Sequence, residues 1–326
     1  MAGLDLGASF TDVPGGTANW TFTSPSLNYN NDSGSVAIVI TKASSTTVVT
    51  VNNATYDGNP HGGTANVTGV GGLNQPVTVN YAGRNGTSYG PSTTPPTNAG
   101  DYQARATFAG DANHNGSQDS KPFTINKANQ TITVTIHAPA SAMYNTSFTV
   151  AATGGGSGNS VTYSASGVCS NVINNFTMTS GTGTCTVHYN QAGNANYNAA
   201  LEVIENVTAS AWTLKGFYQP VDMNGVYNVV KGGSTVPLKF EVFAGATELT
   251  TTSVVKSFVQ TLISCGTSTV LDEIEVVSTG GTSLRYDTTG GQFIQNWQTP
   301  KAPGACYRVT LTTQDNSTLV AFFKLK

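Results

Sequence analysis

A chain of 326 residues is too long for one small sandwich and predicts two to four domains, each able to bury a core of its own. Charged residues make up only 10% of it, the net charge is −3, and the few Lys and Arg are scattered, which excludes the basic stripe a nucleic-acid partner needs. Thr, Ser, Asn and Gly abound, no stretch has an amphipathic helical period, and no apolar run approaches the ~20 residues that span a bilayer, so exposed strands and turns are predicted and membrane insertion is not.

Three segments end in the same way. In the first, the alternating Ala18-Asn19-Trp20-Thr21-Phe22-Thr23 leads to the turn Asn28-Tyr29-Asn30 and a last strand from Val36 to Ala43. In the second, Tyr102 to Phe108 leads to Asn113-His114-Asn115 and then Phe123 to Ala128. In the third, Cys185 to Tyr189 leads to Asn196-Tyr197-Asn198 and then Val203 to Ala209. A period of about 85 residues suits a seven-strand sandwich, so each repeat is one domain. The predicted boundaries fall after Ala43, Ala128 and Ala209, which gives domains over 44–128 and 129–209 and linkers short enough for a semi-rigid rod.

Within a repeat the period is two. Tyr102, Ala104, Ala106 and Phe108 share one face while Gln103, Arg105 and Thr107 share the other, as a half-buried antiparallel strand requires. Residues 1–43 carry only the closing strands of such a repeat. The apolar face of Trp20 and Phe22 and the unpaired backbone along Val36, Ile38 and Ile40 would be costly to leave wet. Truncation with a frayed start, packing on the next domain, or completion by a strand from another copy would each account for it, and the last would make these five residues an assembly joint and the chain a filament. The opening Met1-Ala2-Gly3-Leu4-Asp5 lacks the features of a signal peptide, so an export signal is expected on sequence outside this chain.

Residues 210–326 lack the Asn-aromatic-Asn turn and form a different module. Val236, Leu238, Phe240 and Val242 alternate inward, and Pro237, with no N–H to donate, predicts an edge strand or a strand start. Tyr307 to Thr312 and Leu319 to Lys324 form a closing hairpin around Gln314–Ser317.

Four cysteines fall two to a segment, with no CxxC pair and no His at zinc-finger spacing, so no metal is expected. Three pairings are formally open. Pairing within each segment closes the shorter loops, giving Cys169 with Cys185 and Cys265 with Cys306, and two disulfides imply an oxidising compartment.

The residues also carry family resemblances. Residues 44–128, with Ala54-Thr55-Tyr56-Asp57-Gly58-Asn59-Pro60 and Thr97-Asn98-Ala99-Gly100-Asp101-Tyr102, resemble an MBG-type bacterial immunoglobulin-like domain. Residues 129–209, through Val161-Thr162-Tyr163-Ser164, Val168-Cys169 and Gly183-Thr184-Cys185-Thr186-Val187, resemble a related repeat found in tandem in large bacterial surface proteins. Residues 217–326, through Pro237-Leu238-Lys239-Phe240, Trp297-Gln298-Thr299-Pro300 and Ala321-Phe322-Phe323-Lys324, resemble the PxKF domain. The resemblance implies tandem immunoglobulin-like antiparallel β-sandwiches, display at a cell surface, and no catalytic residues. It also implies that most of the Asn-x-Ser/Thr sequons, of which Asn31 and Asn115 are two, stay unmodified.

Other patterns have plainer readings. Asp111-Ala112-Asn113-His114-Asn115-Gly116 opens like a calcium loop, but its twelfth position is Pro122 rather than a bidentate Glu, so turn chemistry explains it better. His61, His114, His137 and His188 are far apart, and no Ser sits in a nucleophile elbow. Asp272-Glu273-Ile274-Glu275 reads as a polar strand edge, and Lys239 as an outward residue beside Glu241. Of the tryptophans, Trp20 is expected inward and Trp212 at a domain junction with Phe217 and Tyr218. Trp297, in the loop-like Gln295–Pro300, is the candidate for an exposed sugar contact.

The reading is a non-catalytic extracellular stalk or adhesin segment without cofactors. Its expected partners are other copies of itself or a cell-surface or matrix component. The alternative is a carbohydrate-binding surface module, with a glycan as partner.

Overall fold

The computed structural model describes residues 2–266, 270–275 and 283–326, with 270–275 given by backbone course alone. It divides into two compact units, Met1–Gln130 with Gly193–Ala199, and Thr131–Ala192 with Ala200–Lys326. The chain is all-β, and among the described residues three separate apolar cores lie along it.

In the first unit, residues 45–126 form a sandwich of two sheets. One holds Ser45–Thr50, Thr64–Gly69 and Asn74–Pro76, the other Ala54–Thr55, Ser117–Asn126, Gly100–Phe108 and Val79–Arg84 in that spatial order. The two-residue period of the Gly100–Phe108 strand buries Tyr102, Ala104 and Ala106 against Val49, Tyr81, Phe123 and Ile125. Each large side chain so buried contributes roughly 1.5–3 kcal/mol relative to leaving it in water.

Residues 4–39 form a three-stranded antiparallel sheet, Leu4–Asp5, Gly15–Phe22 and Asp32–Val39, with the last strand on an outer edge. Trp20 lies flat across Gly34 of the neighbouring strand, where a Cβ would stand 2.9 Å from the indole ring. Trp20, Phe22, Ile38 and Ile40 are half-buried, while Val36 and Val39 are exposed.

In the second unit, residues 133–192 with 200–210 repeat the sandwich plan around Val150, Phe176, Met178, Val187, Tyr189 and Val207. Residues 213–325 build two five-stranded sheets around Leu238, Phe240, Val242, Phe293, Leu311 and Phe323.

One wiring detail recurs. The first strand of each sandwich pairs antiparallel in one sheet, and the chain then crosses to the other sheet and pairs parallel with the closing strand. The parallel pairs are Ala54–Thr55 with Ser117–Asn126, Ser141–Met143 with Val203–Ser210, and Tyr227–Val230 with Thr318–Leu325. Each sandwich is therefore antiparallel apart from this one pair, which closes it with strands from its two ends.

Pro237 takes the second of its two expected places, near the start of a strand. Its strand, Thr235–Ala244, is interior, lying between Thr213–Tyr218 and Gln292–Gln298. Proline is tolerated because pairing with Thr213–Tyr218 begins only at Lys239, so Pro237 faces a partner on one side alone.

Candidate functional site: a joint repeated along the chain

The Asn-aromatic-Asn turns are built alike. In the second segment the Asp111 carboxylate accepts the N–H groups of Asn113 at 2.8 Å and His114 at 2.7 Å. In the third, Asn194 Oδ1 accepts those of Asn196 at 2.8 Å and Tyr197 at 2.9 Å. These are Asx turns, in which a short polar side chain caps the backbone two and three residues on. The calcium-like pattern at Asp111 is thus used up within the turn. Burial alone would raise the Asp111 carboxyl, but the bonds from the His114 ring and the two N–H groups outweigh it and hold it below its ordinary value. His114, buried, sits between that carboxylate and the Val70 carbonyl at 2.8 Å, and the bonds to Val70 and Asp111 raise its pKa.

Each turn closes on the end of the preceding repeat. Ala43 donates its N–H to the Asn113 carbonyl and accepts from the Asn115 N–H, both at 2.8 Å, and Lys42 Nζ reaches the Asp111 carbonyl at 2.5 Å. Asn113 completes the contact by accepting the Val13 N–H at 2.9 Å on Oδ1 and donating from Nδ2 to Asp12 at 2.7 Å. At the next joint the same five bonds recur. Ala128 exchanges backbone bonds with Asn196 and Asn198 at 2.9 Å each, and Lys127 Nζ reaches the Asn194 carbonyl at 2.7 Å. Asn196 Oδ1 accepts the Ala99 N–H at 2.9 Å, and its Nδ2 donates to Asn98 at 3.0 Å. Tyr197 also meets Tyr56 edge-on at 5.4 Å between ring centroids.

A joint thus takes three parts: a Lys-Ala strand end, a Thr-Asx loop ahead of a repeat's penultimate strand (Thr11-Asp12 before Gly15–Phe22, Thr97-Asn98 before Gly100–Phe108), and the turn of the following repeat. The first Asn of the turn supplies an acceptor and a donor on separate atoms, Oδ1 and Nδ2, and a carboxylate of the same reach has no donor to offer.

The passage into residues 210–326 is made differently. Asp315, fully buried in the turn of the closing hairpin, accepts Trp212 N–H at 2.6 Å, Thr313 Oγ1 at 2.6 Å and both groups of Ser317. Its backbone carbonyl accepts the Gly181 N–H at 2.8 Å. Burial pushes the Asp315 carboxyl up, but the bonds from Ser317, Thr313 and Trp212 prevail and leave it below its ordinary value. Trp212 meets Tyr144 edge-on at 5.2 Å, as its place at the junction leads one to expect.

The other sequence candidates are placed as follows. Trp297 requires a correction: it lies in the Gln292–Gln298 strand, is 1% exposed, packs against Phe323 at 4.6 Å, and donates Nε1–H to Gln260. Its polar neighbours Gln295 and Asn296 look loop-like, but Gln295 is itself buried, so the ring offers no face to a sugar. Disulfides join Cys169 to Cys185 across the two sheets of their sandwich, and Cys265 to Cys306 beside the paired strands Val255–Ile263 and Cys306–Thr313. Asp272–Glu275 fall where only the backbone is described, in the strand Val270–Glu275.

Each histidine meets a carboxylate of its own: His61 with Asp57, His114 with Asp111, His137 with Glu205 and His188 with Glu202. His188 also meets Ser166 Oγ at 2.8 Å, so Ser166, His188 and Glu202 follow the order of a nucleophile triad. Ser166, however, lies in a strand paired along its whole length with Thr184–Gln191.

No family model matches the chain, and no curated protein does. The MBG-type and PxKF resemblances accordingly stand on their quoted motifs. Among solved structures the chain is similar to three N-terminal domains of the bacteriophage RB49 highly immunogenic outer capsid protein, at 14% identity over 87% of this chain and 99% of that one, with a TM-score of 0.22. It is similar to domains 1–6 of the surface layer protein SbsC at 11% identity, over 96% of this chain and 45% of that one, with a TM-score of 0.22. Extracellular domains 3–5 of Drosophila OTK match at 10% identity over 88% and 96%, with a TM-score of 0.20. Overlap at this level assigns no role. The fold is all-β, of tandem immunoglobulin-like sandwiches, and among the described residues no helix is long and apolar enough to cross a membrane.

Proposed function

We propose that this chain is a segment of a non-catalytic extracellular spacer, in which serial sandwich domains are held at fixed angles by a repeated hydrogen-bonded joint. One observation carries the reading: five hydrogen bonds recur, partner for partner, between Lys42-Ala43 and the Asn113 turn and again between Lys127-Ala128 and the Asn196 turn. Flexible linkers need no such bonds, and a device that recurs at successive joints favours restraint of one domain by the next. The two disulfides favour an oxidising, extracellular setting. The carbohydrate reading rested on Trp297, whose ring is enclosed.

Small-angle X-ray scattering on the wild type and on the Asn113→Ala/Asn196→Ala double variant tests the proposal. A single arrangement of domains should fit the wild-type curve, and only a broadened ensemble should fit the variant. A wild-type curve that already requires a broad ensemble rules out the spacer reading.

A further inference from the structure

The chain holds a third copy of the turn, and this copy is open. Ser26-Leu27-Asn28-Tyr29-Asn30 has the Asn-aromatic-Asn core, and Ser26 Oγ caps the Asn28 N–H at 3.5 Å from the place occupied by Asp111 and Asn194 in the other two. The surroundings differ. Asn113 and Asn196 are half-buried, His114 is buried and Tyr197 half-buried, whereas Asn28 and Asn30 are exposed, Tyr29 is 72% exposed and Leu27 fully so. A turn of this kind spends its first Asn on the neighbouring repeat in both filled joints. Here the same group faces water beside two large apolar side chains, and single exposed apolar residues are common where a run of them at a loop tip is not.

We infer that Ser26–Asn30 is a docking site for a domain of this same repeat type joined ahead of it, and that it receives that domain's Lys-Ala strand end and Thr-Asx loop. Asn28 would bind the loop through Oδ1 and Nδ2, and the Asn30 N–H would donate to the alanine carbonyl, as Asn115 and Asn198 do. A second copy of this chain does not fit, because Lys42-Ala43 and Lys127-Ala128 are already bound to the turns that follow them. Spacing supports a domain joined in the same polypeptide: lysine and turn stand 69 residues apart at one filled joint and 67 at the other. The inference rests on the spacer reading for its purpose but on the turn itself for its geometry.

The test is an extended chain in which residues 44–128, then 44–85, are copied ahead of residue 1. The second copy supplies the earlier strands of the repeat, and the first ends in Lys-Ala at the separation of a filled joint. Amide exchange at Asn30 should slow roughly tenfold or more relative to the present chain, with Asn115 and Asn198 as protected references in both. Asn28→Ala in the extended chain should restore fast exchange. Equal Asn30 exchange in the two chains, with the references protected, overturns the inference.

A second measurement needs no added domain. In the present chain Asn28→Ala should leave Asn30 exchange and the melting curve unchanged, whereas Asn113→Ala should speed exchange at Asn115. If Asn28→Ala destabilises the present chain as Asn113→Ala does, Asn28 is already engaged and the site is not open. A broad wild-type scattering ensemble, by contrast, would sink the spacer reading and leave the Asn30 result standing.

Discussion

At the scale of single residues, the joint depends on an amide that gives and takes at once. Asn113 donates to Asp12, whereas Asn196 donates to Asn98. Asn113→Asp would set two carboxylates against each other and should cost about 1–2 kcal/mol of joint stability. Asn196→Asp meets an amide that can turn its own donor inward, and should cost roughly 0.5 kcal/mol or less. Exchange at the Asn115 and Asn198 amides reads the two separately, and equal effects would contradict the assignment of Asp12 and Asn98 as the partners.

Asp315 makes a pH prediction. A carboxyl held below its ordinary value contributes stability that is fully present above that value and is lost as pH falls through the depressed one. The module of residues 210–326 should therefore lose stability on acidification below about pH 4, and Asp315→Ala should remove that dependence. The same variant leaves the donors of Trp212, Thr313 and Ser317 unmet and should cost about 3 kcal/mol at neutral pH, read from thermal melts. His114 runs the other way: its raised pKa gives a contribution present below its ordinary value and lost as pH rises through the raised one.

What the sequence conveys at this scale is uneven. The Asn turns can be read because three copies share a pattern, and a failed calcium match at Asp111 leaves turn chemistry as its explanation. Their partners are hidden, because Asp12 and Asn98 stand about 100 residues away and resemble any polar loop. Trp297 misleads for a related reason: a buried Gln295 beside it breaks the alternation that marks an inner face.

Among elements, alternation is the legible signal. It finds the inner faces of Gly100–Phe108 and Thr235–Ala244, both of which bury every second residue. The crossing of each first strand to the opposite sheet is not legible, because the parallel pairs are two to four residues long, too short for any period. The disulfides differ in placement: Cys169–Cys185 ties one sheet to the other, while Cys265–Cys306 fastens the ends of strands already paired. In the chain-entropy picture, replacing each pair by alanine costs about 3 kcal/mol for the 16-residue separation and about 4 kcal/mol for the 41-residue one. Denaturation of the two double variants checks this, with separate transitions expected for the two domains.

For the molecule as a whole, the central claim is that the Asn joint restrains one domain against the next, and not merely that it touches it. A short Lys-Ala linker already limits how far two domains can part, and what the joint adds should reside in side chains that can be removed one at a time. Spin labels at the exposed positions Ser35 and Gln75, on either side of the first joint, measure it most directly. The wild type should give one narrow distance distribution and Asn113→Ala a broad one. A wild-type distribution as broad as the variant's would contradict the account.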